Sequence, residues 1–287
     1  MGWITAVRRP RLDKLVLFAF FVYAIYGMFM FSIPMTEETP EEVPDVRSAV
    51  MILGKERYVR VMTFNIHHAK GLDGRVNLDR IISDIRYGDP DIVALQEVDR
   101  FHIRSMFVDQ VNEIKKALNM EAFFSPSMYY HGFAEYGNAI LSKYALYNCE
   151  VILLPGIKEM RSLLSAKVKI GEVEVTLFTT HLGVLEEERA MQIPIILDKL
   201  QQTKGPAIFL GDLNMTNAHS LLGALIESWK KVPLVHDTGT FYKGAEIDHI
   251  FVGPYIEAIN AWTIQTESSD HMPVVAELAI AVDAVEG

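Results

Sequence analysis

The sequence predicts an α+β fold in which two β-sheets pack face to face with helices outside, preceded by a single membrane-spanning helix. Three observations support this prediction. Short apolar runs rich in β-forming residues outnumber the helical stretches and arrive along the chain in two groups. Half of the 287 residues are apolar, which is enough to bury a sizeable core. An uncharged apolar run near the N-terminus is long enough to cross a bilayer.

The N-terminal apolar run extends from Leu15 to Ile33 and contains no charged residue. Lys and Arg precede this run and acidic residues follow it, which places the N-terminus in the cytoplasm and the remainder outside. A cleaved signal peptide is the alternative, but the run exceeds the usual apolar region of such peptides. We therefore predict a single-pass protein of the cell membrane with an extracytoplasmic domain. Its parts are a basic cytoplasmic N-terminus over 1–14, a transmembrane helix over 15–34, an acidic proline-containing linker over 35–55 and a folded domain over 56–282.

The overall charge restricts the kinds of substrate. The formal net charge is -10 and the isoelectric point is near 5.4, which argues against a broad nucleic-acid-binding face built from Lys and Arg. The single cysteine, Cys149, excludes an internal disulfide and a zinc site built from cysteines. We predict Cys149 to be a small buried apolar side chain.

Apolar periodicity and turn residues predict the elements of the folded domain. We expect Pro194 to kink the third helix or to delay its start. The predicted helices cover 78–87, 110–118, 186–200 and 220–227. The predicted strands cover 58–66, 91–96, 139–141, 165–170, 173–180, 207–210, 248–252 and 273–281.

Polar side chains follow the apolar runs at the ends of the predicted strands. In the stretch IFLGDLNMT, Asp212 and Asn214 are two positions apart, so strand alternation predicts that they point the same way. A carboxylate or an imidazole after one strand is ordinary, but the same behaviour at six strand ends indicates a common site. The predicted site residues from strand ends are Asn65, Glu97, His181, Asp212, Asn214, Asp248, Asp270 and His271.

Such a concentration of carboxylates needs a compensating charge, which a divalent cation supplies. Oxygen donors favour Mg²⁺ or Mn²⁺ over zinc, and we predict Glu97 as the principal ligand and Asp270 as a second. His271 beside Asp248 is a candidate oriented acid or base, and Asp212 a candidate to deprotonate or position water. Asn65 and Asn214 offer amide donors to phosphate oxygens.

Seven motifs in order, TFNIHH, LQEVD, GNAILS, TTHLG, GDLN, IDHIFV and SDHMPV, resemble the endonuclease/exonuclease/phosphatase superfamily of DNase I-like, Mg²⁺-dependent phosphoesterases. The resemblance covers about 57–278, and the chain looks like a membrane-anchored bacterial-type member. It implies a four-layer α/β/β/α sandwich with the active site at one rim of the two sheets. It also implies hydrolysis by in-line attack of water on phosphorus, without a covalent intermediate.

The resemblance assigns roles to the matching positions. Asn65 and Glu97 match the metal-proximal pair, and Asp270 matches a second metal ligand. Asp212 and Asn214 match the pair that activates water and orients phosphate, and Asp248 with His271 matches the hydrogen-bonded dyad. His181 matches a histidine of DNase-like and sphingomyelinase-like members that abasic-site endonucleases usually lack.

Several residues go beyond this pattern. Glu135 is a candidate partner of His181. Arg100, Arg104 and Arg161 are candidate phosphate clamps, with ion pairs to the acidic residues as the alternative. His67 and His68 either line the pocket or lie on the surface. The aromatic stretch 125–133 is either a wedge for a bilayer or a loop packed on the rim.

The leading functional hypothesis is a membrane-tethered, outward-facing phosphodiesterase whose substrate is a lipid headgroup or a small phosphoester. An extracellular, sugar-non-specific endonuclease is the alternative enzymatic function. An inactive binding or scaffold domain is the alternative of another class, although a degenerate member is expected to have lost part of the polar set. The sequence implies a phosphoester substrate, the membrane and Mg²⁺ or Mn²⁺ as partners, and no obligate protein partner.

Overall fold

The computed structural model describes residues 56–236 and 239–282. The predicted basic N-terminus, transmembrane helix and linker lie outside these residues. Within the described ranges, no helix is both long and apolar enough to span a bilayer.

Twelve strands in the described residues form two six-stranded sheets. The first sheet has the strand order β11-β12-β1-β2-β4-β3 and the second the order β5-β6-β7-β8-β10-β9. The strands are β1 Glu56–Asn65, β2 Ile92–Arg100, β3 Glu121–Tyr130, β4 Ala134–Ser142, β5 Tyr147–Leu154, β6 Arg161–Ile170, β7 Val173–His181, β8 Ala207–Asp212, β9 Lys230–Lys231, β10 Asp248–Val252, β11 Ile256–Thr263 and β12 Val274–Ala281.

Four α-helices in the described residues, three of them capped at the start by a polar side chain, cover the outer faces of the sheets. They are α1 Leu78–Gly88, α2 Gln110–Leu118, α3 Glu186–Gln202 and α4 Ser220–Ser228. Asn77 and Asp109 accept hydrogen bonds from backbone N–H groups in the first turns of α1 and α2, at 3.0 and 3.1 Å. His219 caps α4 in the same way. α1 ends at Gly88 and is followed by the C-cap Asp89, whose backbone is left-handed with φ of 42°.

Alternating side chains of the strands build three apolar layers. Val61 of β1 points between the two sheets, whereas its neighbour Met62 points outward to α1 and α2. Phe209 of β8 likewise points away from the other sheet, toward α3 and α4. The order helix, sheet, sheet, helix follows, so the predicted two-sheet α+β sandwich with outer helices is confirmed.

Four strands lack a prediction from the sequence. β5 is mostly exposed and lacks the apolar alternation that marks a half-buried strand. β3, β9 and β11 also carry few buried residues. The stretch 125–133 is neither a free wedge nor a plain loop, because residues up to Tyr130 belong to β3 and pair with β4.

Two details of the local predictions are wrong: the late start of α3 and the burial of Cys149. α3 begins at Glu186 and includes Pro194, so the proline does not delay the helix. Cys149 lies on β5 and is exposed rather than buried. Both predictions used the residue type alone and ignored the surrounding structure. Glu188 fixes the start of α3, so the proline falls within the helix. Cys149 falls on β5, which is mostly exposed.

Candidate active site

The strand topology brings the predicted polar strand ends to one cavity. β1 is parallel to β2 and β7 is parallel to β8, so the carboxyl ends of each pair lie at one edge of their sheet. β10 is antiparallel to β8, and its first residue, Asp248, pairs with Asp212. The cavity at this edge has a volume of about 440 Å³. Its lining residues are His67, His68, Glu97, Arg104, Tyr130, Tyr136, Lys158, Glu159, Arg161, His181, Val184, Glu188, Asp212, Asn214, Phe241, Ile247, Asp270 and His271.

A bulge in β2 directs Glu97 into the cavity. The pairing of β2 with β4 shifts register between Leu95 and Val98, and Glu97 has a positive φ of 57°. Asn65, at the end of the neighbouring β1, donates from Nδ2 to Glu97 Oε1 at 3.1 Å and to Asp212 Oδ2 at 2.9 Å. Asn65 thus holds one carboxylate from each sheet in place.

Asp212, His271 and Asp248 form a buried chain of polar contacts. His271 Nδ1 lies 2.8 Å from Asp248 Oδ2, and His271 Nε2 lies 3.8 Å from Asp212 Oδ2. Thr240 donates its hydroxyl proton to Asp248 Oδ2 at 2.6 Å and accepts the backbone N–H of Asp248 at 3.0 Å. All four side chains are buried, so the imidazole is held between two carboxylates away from bulk water.

The buried charges around Asp212 and His271 raise the pKa values of both side chains. Burial and the negative charge of Asp248 raise the pKa of Asp212 to about 7. Burial disfavours a charged imidazole at His271, but the carboxylates of Asp248 and Asp212 outweigh it and raise its pKa to about 10. At neutral pH, His271 is therefore an imidazolium beside a carboxyl group that exchanges its proton near pH 7.

His181 approaches Asp212 from the other side as a neutral imidazole. Burial and then the charge of Arg161 hold the pKa of His181 well below its usual range. Arg161 Nη1 lies 3.3 Å from His181 Nδ1, and an arginine nitrogen only donates, so this nitrogen accepts. The proton is then on Nε2, which lies 3.3 Å from Asp212 Oδ2.

Asn214 reaches the cavity by a different route from the one the sequence suggests. β8 ends at Asp212, and Asn214 lies beyond it with a left-handed φ of 50°. Its backbone N–H donates to Asp212 Oδ1 at 2.9 Å, and its Nδ2 donates to the carbonyl of Leu182 at 3.0 Å. A turn closed by the aspartate, rather than strand alternation, brings the two side chains together.

Glu97 and Asp270 present carboxylate oxygens to the cavity, and in the described ranges neither forms an ion pair with Lys or Arg. His67 Nδ1 lies 3.3 Å from Asp270 Oδ1, and His68 Nδ1 lies 3.9 Å from Glu97 Oε2. Burial, followed by the charge of Arg104, lowers the pKa of His68 to about 3. Carboxylates without a cationic partner beside two imidazoles are a donor set that suits a divalent cation.

A family model covers almost the whole folded part. Residues 62–271 match the model of the "Endonuclease/Exonuclease/phosphatase family". The chain belongs to the endonuclease/exonuclease/phosphatase family. The match spans every motif of the cavity from Asn65 to His271. Members of this family are hydrolytic phosphoesterases and nucleases, and the chain is an enzyme that hydrolyses ester bonds.

Solved structures share the fold of this family member. An endonuclease/exonuclease/phosphatase from Beutenbergia cavernae is 24% identical with a TM-score of 0.67, over 78% of this chain and 72% of that one. The human Nocturnin catalytic domain is 20% identical with a TM-score of 0.64, over 78% and 94%. A mannosyl-6-phosphatase from Bacteroides thetaiotaomicron is 20% identical with a TM-score of 0.62, over 77% and 99%. No curated protein matches the chain.

Several predicted site residues do not line the cavity. Arg100 forms ion pairs with Asp109 at 3.0 Å and Glu135 at 2.8 Å, so it is not the predicted phosphate clamp. Asn65 is completely buried, with its Oδ1 accepting from the backbone of His67 at 3.0 Å. It positions carboxylates instead of presenting its amide to a cation or a phosphate. Glu135, paired with Arg100, is likewise not the partner of His181 in this family member.

Arg104 and Arg161 do line the cavity, but each has an internal partner. Arg104 forms a two-pronged contact with the buried Asp99, at 2.8 and 2.9 Å, and lies over the ring of Tyr136. Arg161 contacts Glu159 Oε2 at 3.1 Å as well as His181. Their guanidinium groups shape the wall of the cavity, and the ion-pair alternative of the sequence analysis is the one observed.

Some lining residues give no signal in the sequence. Tyr136, Phe241 and Lys158 lie in turns or mid-strand and resemble ordinary core or surface residues. The role of Glu188 also cannot be inferred from the sequence. Its carboxylate accepts the backbone N–H groups of Ile157 and Lys158 at 2.8 and 2.9 Å. This contact fixes the loop between β5 and β6 against the start of α3.

Proposed function

We propose that this enzyme is a metal-dependent phosphodiesterase, tethered to the membrane by residues 15–34 with its catalytic domain outside the cytoplasm. Its substrate is the phosphoester of a lipid headgroup or another small phosphoester. The observation that carries the catalytic part is the contact of Asp212 with both His181 and His271 in the cavity that also holds Glu97 and Asp270.

Different side chains of the cavity carry out different parts of the attack of water on phosphorus. Glu97 and Asp270 would hold Mg²⁺ or Mn²⁺, which when bound would supply Lewis-acid neutralisation of charge on the phosphoryl group. Asp212, with its pKa near 7, accepts a proton from the attacking water. His271 carries a positive charge and stabilises the negative charge that develops on the phosphoryl oxygens.

The hydrogen-bonding groups around Asp212 keep this geometry. His181 donates from Nε2 toward the Asp212 carboxylate and does not itself exchange a proton at neutral pH, because its pKa is far below 7. Asp248 and Thr240 hold the ring of His271 in one orientation. Asn214 carries a second amide proton at the cavity wall, which we assign to orienting a phosphate oxygen.

Apolar side chains near the cavity support a substrate at a membrane surface. Ile103, Met106, Phe107 and Phe133 are exposed, and the rings of Phe107 and Phe133 stack at 6.3 Å. His102, in the same loop, packs on the cavity residue Tyr130 at 5.0 Å. Exposed apolar patches of this kind favour contact with another apolar surface. We call these four exposed residues the apolar rim.

The charges of the cavity argue against a long nucleic acid as the substrate. The cavity arginines, Arg104 and Arg161, are already paired, and the net charge is negative, so a long nucleic acid gains little from phosphate neutralisation here.

A substrate panel tests the proposal on the full-length protein in detergent. We expect hydrolysis of bis(p-nitrophenyl) phosphate with Mg²⁺ or Mn²⁺, and faster turnover of sphingomyelin vesicles than of plasmid DNA. Faster plasmid cleavage would favour the nuclease, and no turnover of any phosphoester would leave the scaffold alternative. Protease treatment of intact cells tests the orientation, since a protected catalytic domain would reverse it.

Replacing the aromatic pair of the apolar rim separates binding to a surface from chemistry. The double variant Phe107→Ser and Phe133→Ser is expected to lower turnover of lipid vesicles by at least about tenfold, because each half-exposed ring gains roughly half of the 1.5–3 kcal/mol of complete burial. Turnover of bis(p-nitrophenyl) phosphate stays at the wild-type value. Tyr87→Ser, at an exposed aromatic on α1, is the control and changes neither rate. Equal loss on both substrates would argue against a surface-binding role.

A further inference from the structure

Two consecutive histidines after β1 both face the cavity, which a strand does not allow. In a strand, neighbouring side chains point to opposite sides. Here the chain turns through three left-handed residues, His67, His68 and Ala69, with φ of 44°, 46° and 65°. Residues other than glycine rarely adopt this conformation, and it clusters at functional sites. The strained turn places both imidazoles on one side, with ring centroids 4.5 Å apart.

The surrounding structure holds this turn in place. The side-chain oxygen of Asn65 accepts the backbone N–H of His67 at 3.0 Å, and Gln110 Nε2 donates to the backbone carbonyl of His68 at 2.8 Å. Gln110 is itself buried at the start of α2. The direction of the two rings is therefore fixed by the fold before any ligand arrives.

The ring nitrogens that face the cavity lack hydrogen-bond partners. His67 Nδ1 and His68 Nδ1 are both buried and unsatisfied, and the whole His68 residue is only 9% exposed. Ligand atoms of His67, His68 and Glu97 all lie within 4.8 Å of one another. Asp270 Oδ1 lies 3.3 Å from His67 Nδ1, so a second carboxylate borders this three-residue group.

We propose that His67 and His68 join Glu97 and Asp270 as ligands of one divalent cation, and that this mixed nitrogen and oxygen site prefers Mn²⁺, Co²⁺ or Zn²⁺ to Mg²⁺. The inference deepens the proposed function, on which it rests. It revises the expectation from the sequence, where the ligand set held only oxygen donors.

The distances and the ligand chemistry agree with this proposal. Metal–ligand bonds of about 2.0–2.2 Å place two ligands of one ion no more than about 4.4 Å apart. The His67–Asp270 and His68–Glu97 separations, 3.3 and 3.9 Å, fall within that limit. Imidazole nitrogen suits first-row transition cations and zinc, whereas Mg²⁺ takes oxygen ligands and retains several waters.

A second group of side chains of the kinds that bind metals lies nearby, but we do not assign the ion to it. Asp212, Asp248 and His271 also lie close together. However, His271 Nδ1 already contacts Asp248 Oδ2, and Asp212 accepts from Asn65 and from the backbone of Asn214. Each of these three side chains has a hydrogen-bond partner within the protein, although Asp248 Oδ1 has none, whereas His67 Nδ1 and His68 Nδ1 both lack one.

Direct binding measurements on the metal-free full-length protein test the proposal. The variants are His67→Asn and His68→Asn, because asparagine is the side chain that best tolerates a left-handed backbone. His131→Asn is the matched control, since His131 is exposed, lies outside the cavity and has a φ of 52°. Calorimetric titrations with Mn²⁺ and Mg²⁺ give affinities without relying on activity, and thermal melting without metal confirms that each variant folds.

We expect wild type and His131→Asn to bind Mn²⁺ at least roughly tenfold more tightly than Mg²⁺. Each cluster variant should weaken Mn²⁺ binding by at least about tenfold, with a smaller effect on Mg²⁺. The visible absorption of bound Co²⁺ should change in both. If one variant does not fold, the other decides.

Unchanged Mn²⁺ affinity in a folded cluster variant, or equal affinity of wild type for Mn²⁺ and Mg²⁺, would overturn the inference. In that case, continued phosphoester turnover with Mg²⁺ would leave the proposed function intact. Absence of both cation binding and turnover would remove the proposed function as well.

Discussion

Asp212→Asn is expected to lower kcat for bis(p-nitrophenyl) phosphate by roughly 10²–10⁴-fold, the usual contribution of a general acid or base. The amide has the shape of the carboxylate but does not accept a proton from water. The side chain is buried and lies within 4 Å of both His181 and His271, so no other carboxylate occupies the same position. The effect should appear in kcat more than in KM, because Asp212 acts on the attacking water.

The matched control is Asp198→Asn, at an exposed position on α3 where the carboxylate accepts from Gln202. This variant should keep the wild-type rate. Thermal melting of both proteins separates loss of chemistry from loss of fold. If folded Asp212→Asn retained more than about a tenth of the wild-type kcat, Asp212 would not be the proton acceptor.

His271→Gln is expected to lower kcat to a similar extent and to move the acid limb of the pH profile to higher pH. The imidazolium of His271 lowers the pKa of Asp212, whereas burial and Asp248 raise it to about 7. Removing the positive charge therefore raises the pKa of Asp212 further. Because the carboxylate form is the active one, activity in the variant should begin to rise at a higher pH than in wild type.

Profiles of kcat/KM against pH test this expectation, since they report the pKa values of the free enzyme. His131→Gln, at an exposed histidine outside the cavity, should leave the profile unchanged. An acid limb that stayed in place, or that moved to lower pH, would contradict the proposed coupling between His271 and Asp212.

Elements with strong local signals could be predicted from the sequence. The helix 110–118 and the strand 248–252 match the structure at both ends, because each has clear periodicity between turn residues. β5 and β11 were missed because their faces are largely exposed and lack alternation. Their pairing depends on neighbouring strands that are distant in sequence, so tertiary contacts rather than local preference decide their structure.

The site could be predicted as a set of residues but not as a geometry. Strand ends indicated that Glu97, Asp212 and His271 meet, and the cavity brings them together. The tautomer of His181 depends on Arg161, which is one strand away, and no local pattern reveals that contact. The same holds for Arg100, whose carboxylate partners are near it only in the folded chain.

The most direct test of the central claim is turnover of bis(p-nitrophenyl) phosphate by the full-length protein before chelation, after chelation and after return of Mn²⁺ or Mg²⁺, compared with Glu97→Gln. We predict that chelation abolishes turnover, that the returned cation restores it, and that Glu97→Gln remains slow at every cation concentration that saturates wild type. Turnover that survives chelation, or a Glu97→Gln variant as fast as wild type, would contradict a cation-dependent hydrolytic centre at this edge of the two sheets.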